Sequence, residues 1–471
     1  MKRIIALVLM LVIVFSFALT ATSCMFGKKN SSADFVMPEG GYDGSAVTIK
    51  FYHSMGATLQ EILNDAIADF NELYPNITIE HESLGDYDGV RDQIKTEISV
   101  GNQPNLAYCY PDHVALYNVA GAVQTLDVLI EDPNVGFTQE QLDDFIQGYY
   151  NEGKTFGDGK MYSLPLSKST EVLYYNKTFF EEHNLTVPTT WDEMETVIKQ
   201  IKEIEPTSIP LGYDSESNWF ITMCEQYGSP YTSASGENFL FNNQTNIDFV
   251  TKFRTWFQNK WVTTEELSGG YTSALFTGES SSSTESKVET GTRCYMCIGS
   301  TGGATYQQPS QTNGKFEFEV GIASIPQVNP DAPKVISQGP SLCIFKKDNP
   351  QEVLASWLFA KFLTTDVNFQ ARVSMNNGYA PVIKSVQQHP EYAKFLAKAD
   401  TANIQAYAVK VALAQENAYY ASPAFNGSSV ARTQVGLLIQ KCFTLPDAGL
   451  EDAIKKAFED AVAECKYQAG L

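Results

Sequence analysis

Cations are in short supply in this chain. Its 471 residues hold 33 Lys and Arg against 55 Asp and Glu, a formal net charge of −22. A sequence-independent nucleic-acid binder needs surplus cations to neutralise phosphates, so this balance argues against that class. Histidine is scarcer still: there are five, far apart in sequence, and none in an H-E-x-x-H pattern. There is one C-x-x-C and no second, so no zinc site is expected, nor any other metal or cofactor. No G-x-S-x-G elbow presents a nucleophile, and no enzyme activity is expected. After residue 19 no stretch is long and apolar enough to span a bilayer, which takes roughly 20 residues. The remaining composition is ordinary and globular, 43% hydrophobic and 19% charged, which excludes wholesale disorder. At about 150 residues per domain, two to three domains are expected. Aromatics reach 12%, with 28 Phe and 24 Tyr, and tyrosine suits a wet surface that must also grip apolar groups.

The N-terminus sets the compartment. Lys2 and Arg3 precede the apolar run Ile4 to Leu19, which is followed by Ala21-Thr22-Ser23-Cys24. A basic start, an apolar core and small residues before a cut form an export signal. A Cys after the small residues resembles the bacterial lipobox, with Ala21 where that pattern prefers Leu. The resemblance implies that residues 1–23 are a lipoprotein signal and that Cys24 carries the lipid anchor. A plain cleaved signal with a free Cys is the alternative. Residues 24–46, rich in Gly, Ser and Lys, are expected to form a flexible tether. Seven cysteines remain beyond Cys24, an odd number, so at least one thiol is unpaired. Cys294 and Cys297 form the C-x-x-C, but Tyr295, Met296 and Ile298 around them read as a buried strand rather than a redox site at a helix start.

Periodicity then gives the class. Val47 to Tyr52 reads as a strand. Leu59, Ile62, Leu63, Ala66, Ile67, Phe70, Leu73 and Tyr74 recur at helical spacing up to Pro75, and Asn76 to Glu80 reads as a second strand. This βαβ succession implies a parallel sheet. A helix over Asp88 to Val100 and a strand over Leu106 to Tyr110 continue it. Gly153 to Leu166 is expected to be a hairpin turning at Gly157-Asp158-Gly159. Val172 to Tyr175 reads as a strand, and Thr190-Trp191-Asp192-Glu193 as a capping box that opens a helix. Ile209 to Tyr213 is a strand. Asn218 to Tyr227 and Ile247 to Phe257 are helical, and a Ser-rich loop covers 278–287. Arg293 to Ile298 and Phe316 to Ala323 read as strands. Glu352 to Leu363, Val367 to Met375 and Ala453 to Lys466 read as helices. The chain is therefore α/β, with a first lobe of 47–160 plus about 290–345 and a second of 161–289 plus about 346–471.

Gly148 to Thr155 matches G-x-x-x-x-G-K-[ST], the phosphate loop. That chemistry needs a strand before the loop and a helix after it, and Gly157-Asp158-Gly159 forbids the helix. Many acidic pairs exist, but a glycosidase pair is defined by a separation in space that spacing in sequence does not supply.

Several segments together carry a resemblance. They are Phe51-Tyr52-His53-Ser54-Met55, Gly85-Asp86-Tyr87, Leu164 to Thr170 before Val172-Leu173-Tyr174-Tyr175-Asn176-Lys177, Asn377-Gly378-Tyr379-Ala380-Pro381, and Ser422-Pro423-Ala424-Phe425 followed by Arg432. The chain resembles the family 1 extracellular solute-binding proteins of ABC importers over about residues 45–466, most of all the glycerol-3-phosphate-binding branch. The resemblance implies a two-lobed periplasmic-binding architecture, a small-molecule ligand between the lobes, ABC permease subunits as partners, and a monomer. It places the ligand against Tyr87, Ser169, Trp219, Ser300, Gly339, Tyr379 and Arg432. The branch's glutamate falls at Pro111-Asp112, so Asp112 is its shifted stand-in, and Tyr52 stands where the branch has Trp. Arg offers a planar fork of donors for phosphate oxygens, and Gly allows close backbone approach. Lys168, beside Ser169, adds a cation near the expected anion. Each residue also has a plain structural role open to it: core for Tyr379, a surface ion pair for Arg432, loop caps for Ser169 and Ser300, a helix anchor for Trp219. Two functions compete within the family: capture of glycerol-3-phosphate or a related glycerophosphodiester, and capture of a neutral sugar.

Overall fold

The computed structural model describes residues 35–278 and 287–471. The export signal, Cys24, residues 24–34 of the tether and nearly all of the Ser-rich loop lie outside the described residues.

The first lobe begins as the periodicity requires. Strand β1 (Val47–His53) turns Val47, Ile49 and Phe51 inward. Helix α1 (Ala57–Leu73) buries Ile62, Leu63, Ala66 and Phe70 against it, a burial worth about 1.5–3 kcal/mol for each large side chain. Strand β2 (Ile77–Ser83) then pairs parallel to β1, from Val47↔Ile77 to His53↔Ser83. Helix α2 (Tyr87–Val100) is capped by the Asp86 carboxylate, which accepts from Gly89 N at 2.7 Å, and is stopped by Gly101 at φ 73°. Strand β3 (Leu106–Cys109) joins the other side of β1, and α3 (Pro111–Asn118) follows with Pro111 at its first position. Helix α4 (Gln147–Glu152) ends on Gly153, where the expected hairpin begins. The two-residue strand β4 (Leu164–Pro165) pairs not with a hairpin partner but with a strand far along the chain, Ser341↔Pro165. The apparent phosphate loop is thus a helix running into a turn.

Residues 166–168 cross to the second lobe. Its central strand β5 (Ser169–Asn176) is followed by α5 (Trp191–Ile204), which opens on the expected capping box at Thr190 and Glu193. Strand β6 (Leu211–Tyr213), α6 (Glu216–Tyr227), α7 (Gln244–Gln258), β7 (Val262–Thr264) and the short α8 (Glu265–Ser268) come next. Strand β8 (Met296–Ser300) inserts between β5 and β6, while β9 (Val320–Ser324) and β10 (Val335–Gln338) both pair antiparallel with β5. The chain then crosses back at Gly339 and Pro340 to β11 (Ser341–Ile344), antiparallel to β3. Helices α9 (Pro350–Thr365) and α10 (Val367–Asn377) pack into the first-lobe core through residues such as Trp357, Phe359 and Phe369. Helix α11 (Ile404–Ala414) leads to β12 (Tyr419–Tyr420), which pairs with β10. Helices α12 (Ser428–Thr444) and α13 (Leu450–Ala469) close the second-lobe core with Val435, Leu438, Phe443 and Phe458. The first sheet runs β2-β1-β3-β11-β4 and the second β12-β10-β5-β8-β6-β7, with β9 also on β5.

The lobe boundaries therefore differ from those expected. Residues 296–338, assigned to lobe 1, form strands of the second sheet, and 346–397, assigned to lobe 2, lie in the first lobe. Strand pattern reports burial, not partner: Met296 to Ile298 is apolar because it lies between β5 and β6, which are distant in sequence. The return to the first lobe does occur, at Ser341–Ile344. The seven described cysteines are all free and buried, Cys294 and Cys297 among them, and burial raises both thiol pKa values. No described helix is long and apolar enough to cross a membrane.

Candidate functional site

The crossing segments form the floor of a cleft between the lobes. Leu166 N donates to Pro340 O at 3.0 Å, and Lys168 pairs with Ala380 in both directions (N to O 3.1 Å, O from N 2.6 Å). Above this floor lie two adjoining compartments that share Gln338.

The first, a cavity of about 300 Å³, is walled by both lobes. From the first come Tyr87 and Arg91 on α2, Tyr110, and Asp112 and His113 in the first turn of α3. From the second come Ser422, Ser429 and Arg432. Tyr87 and Tyr110 lie with ring centroids 4.6 Å apart. Arg91 is already engaged by Asp88 at 2.7 Å and Asp92 at 2.9 Å. Arg432 is different. Its Nη2 donates to the Asn218 side-chain oxygen, and among the described residues it has no carboxylate within 4.0 Å. His113 is buried, its Nδ1 has no partner, and burial lowers its pKa against the opposing charge of Asp112.

The second compartment, about 680 Å³, is lined by Ser300, Tyr379, Asn218, Glu171, Asp214, Glu265 and Gln307, among others. Asn218 joins the two: its Nδ2 donates to Glu171 Oε1 at 3.0 Å, while its Oδ1 accepts from Arg432 and from Gln338 Nε2. Tyr213 donates to the other Glu171 oxygen at 2.7 Å. Burial pushes the Glu171 pKa up to about 7 against these hydrogen bonds. Burial, then the charges of Asp214, Glu216 and Glu266, pushes that of Glu265 up to about 8.

Of the expected ligand residues, Tyr87, Asp112 and Arg432 meet in the first compartment, and Ser300 and Tyr379 in the second. Ser300 also caps the turn after it, its Oγ accepting from Gly302 N at 3.1 Å. Gly339 lies at φ 104°, where a Cβ would stand 2.5 Å from Ser167 O and 3.1 Å from the Tyr379 ring, so its close approach serves the floor and Tyr379. Ser169 is buried in the β5–β10 pairing and lines neither compartment. Trp219 is a correction. It is fully buried in the second-lobe core, stacked on Tyr213 at 4.9 Å and 13°, about 100° around α6 from its neighbour Asn218. Lys168 is a second correction: it is wholly buried and held by Glu152, Gly339 O and the Ser341 hydroxyl, so its charge is already matched. Sequence reading missed Asn218, Gln338, Arg91, His113 and the acids Glu171, Asp214 and Glu265. For Glu171 a signal existed, a lone carboxylate inside an otherwise uncharged strand.

A family model for bacterial extracellular solute-binding proteins matches residues 65–402. The chain belongs to that family. The solute-binding protein is 26% identical over 372 residues to the sn-glycerol-3-phosphate-binding periplasmic protein UgpB of Escherichia coli strain K12, covering 77% of this chain and 81% of that one. UgpB of Shigella flexneri matches equally well. Among solved structures, the cyclic alpha-maltosyl-1,6-maltose binding protein of Arthrobacter globiformis superposes with a TM-score of 0.67 at 17% identity, covering 90% of this chain and 100% of that chain. UgpB of Mycobacterium tuberculosis in complex with glycerophosphocholine gives 0.67 at 18%, covering 89% and 99%. These likenesses establish the two-lobed fold, and the family is one of exported proteins that bind small molecules.

Proposed function

We propose that this solute-binding protein is the capture subunit of an ABC importer, that Cys24 anchors it to the membrane, and that its ligand is glycerol-3-phosphate or a related glycerophosphodiester. One observation carries the ligand class. Arg432 projects into a cleft walled by both lobes with its fork engaged only by a neutral amide. An unpaired guanidinium in a cleft that closes is a strong site for phosphate oxygens, since closure removes the competing water. The hydroxyls of Ser422 and Ser429 stand in the same compartment as further donors. The relatives' names point the same way.

A neutral-sugar ligand is the second reading. It draws on the other compartment, where Tyr271, Tyr306 and Tyr379 accompany three carboxyl groups. Calorimetry separates the two. Wild type is expected to bind glycerol-3-phosphate and to ignore maltotriose. Arg432→Ala should lose roughly 2–5 kcal/mol for the phosphorylated ligand, and Arg432→Lys should recover only part, because Lys lacks the fork. Wild type binding maltotriose and no phosphorylated ligand would overturn the reading.

A further inference from the structure

The second compartment is built of acceptors. Glu171 reaches it from β5, Asp214 from the end of β6 and Glu265 from the start of α8, and no Lys or Arg lines it. The nearby charges are Glu216 on α6, Glu266 on α8 and Arg432 on α12, the last separated from Glu171 by Asn218. Asp214 Oδ1 accepts from the Thr272 amide at 2.7 Å and hydroxyl at 2.6 Å, and its Oδ2 faces Gln307. Gln307 supplies a separate observation. Its side chain is 2% exposed, and its Nε2 donates to Asp214 Oδ2 at 3.4 Å and to Cys297 Sγ at 3.3 Å. That orients the amide and leaves Oε1 buried with no donor, on a residue that lines the compartment.

Among the described residues that line the compartment, the one buried polar side-chain atom without a partner is an acceptor, and the charged side chains are all carboxyl groups. A primary ammonium offers three N–H donors and a positive charge, whereas a quaternary ammonium offers the charge without a donor. The phosphate site is close by, since Arg432, Asn218 and Glu171 are linked by two consecutive hydrogen bonds. The tyrosine rings of Tyr271, Tyr306 and Tyr379 provide faces for the cation. Resting on the phosphate reading above, we infer that Asp214, Glu265 and Gln307 form a head-group subsite that selects, among glycerophosphodiesters, one whose alcohol bears a primary ammonium.

The subsite has a protonic signature. Burial holds Glu171 up to about 7 and Glu265 up to about 8, with Asp214 also raised. A bound cation favours the charged carboxylates, so binding near pH 7 releases protons and tightens as pH rises through 7 to 8. Calorimetry with glycerophosphoethanolamine and glycerophosphocholine, in two buffers of different ionisation enthalpy, tests this. Wild type is expected to bind the ethanolamine ester at least about tenfold more tightly and to release protons in doing so, the gain of roughly one unsatisfied buried acceptor filled. Asp214→Asn and Glu265→Gln should bring the ratio of the two affinities toward one and reduce the proton release, with Glu171 still titrating. Circular dichroism identifies a variant that has not folded, and Glu265→Gln, at a half-buried position, carries the test where Asp214→Asn does not fold. Equal affinities in wild type, or a ratio that survives in folded Glu265→Gln, would overturn the inference while leaving the phosphate reading intact. Binding of neither diester, with maltotriose bound, would instead overturn the phosphate reading.

Discussion

Replacing Lys168 by Met tests the floor of the cleft. The ammonium of Lys168 is wholly buried and holds three partners: the Glu152 carboxylate, Gly339 O at 3.0 Å and the Ser341 hydroxyl at 2.9 Å. Its backbone pairs with Ala380. One side chain thus ties together the outgoing crossing, the returning crossing and the first-lobe helix that bears Glu152. Methionine keeps the volume and removes the charge, leaving a carboxylate only 4% exposed without a cation. Breaking a buried pair from one side costs about 3–5 kcal/mol. Protonation offers Glu152 an escape. Burial already raises its pKa, with Lys168 pulling it back, so loss of Lys168 raises it further. A carboxyl whose folded pKa exceeds its unfolded value binds more protons folded, so stability falls as pH climbs from the unfolded value toward the folded one. The Lys168→Met deficit should therefore be larger at pH 8 than at pH 5. Urea unfolding followed by tryptophan fluorescence measures it. Adding Glu152→Leu should recover much of the loss, because an apolar pair of similar volume has no charge to desolvate. A deficit below about 1 kcal/mol at pH 8, well under the range for a broken buried pair, or a double variant no better than the single, would refute the reasoning.

Three further outcomes are expected. Tyr379→Ala should weaken binding of glycerol-3-phosphate by about 1–3 kcal/mol, from lost packing and one hydrogen bond; unchanged binding by calorimetry would assign Tyr379 to the floor alone. Cys24→Ala should move the protein from the membrane to the soluble fraction on cell fractionation, since a lipid is the anchor proposed; a variant still in the membrane fraction would remove the lipobox. His53 is buried, accepts from Met55 N at 3.1 Å and lies 2.9 Å from His81 Nδ1, and burial lowers its pKa to about 4. Its contribution is present above pH 6.5 and is lost as pH falls toward 4, so His53→Gln should flatten the acid side of the urea stability profile, and an unchanged acid slope would show that other groups control it.

What the sequence made legible follows from what is local. The βαβ start of the first lobe, the capping box at Thr190 and the helices near 352, 367 and 453 depend on spacing within one element, and the structure has them within a few residues. Helix α12, which carries Arg432, was not legible as a helix. It opens on Gly427 at φ 108° without a side-chain cap, and α6, α7 and α13 surround it, so its apolar residues occupy several faces and give no single stripe. The lobe boundaries failed for a related reason: β8 and β11 look alike in sequence and differ only in their distant partners. At the site, family motifs brought forward Tyr87, Tyr379 and Arg432. Trp219 was misplaced by one helical step, because the residue facing the cleft is its neighbour Asn218, a polar side chain that no hydrophobic pattern marks.

That neighbour decides how the cleft works. Asn218 sits between Arg432, which has no carboxylate partner among the described residues, and the buried acid Glu171, and it meets both with the correct polarity, oxygen to Arg432 and nitrogen to Glu171. Gln338 adds a second donor to the same oxygen. An amide is the side chain suited to this place, because it carries a donor and an acceptor and no charge. Aspartate of the same shape would pair with Arg432 and satisfy its fork from within the protein, removing the site for an incoming phosphate. It would also set a second carboxylate against Glu171, whose pKa burial already raises. Without any polar group there, Arg432 and Glu171 would be drawn together directly, joining the anion-seeking and cation-seeking halves of the cleft into one internal salt bridge. The neutral amide keeps Arg432 and Glu171 from meeting directly, which is what the phosphate reading proposed above requires.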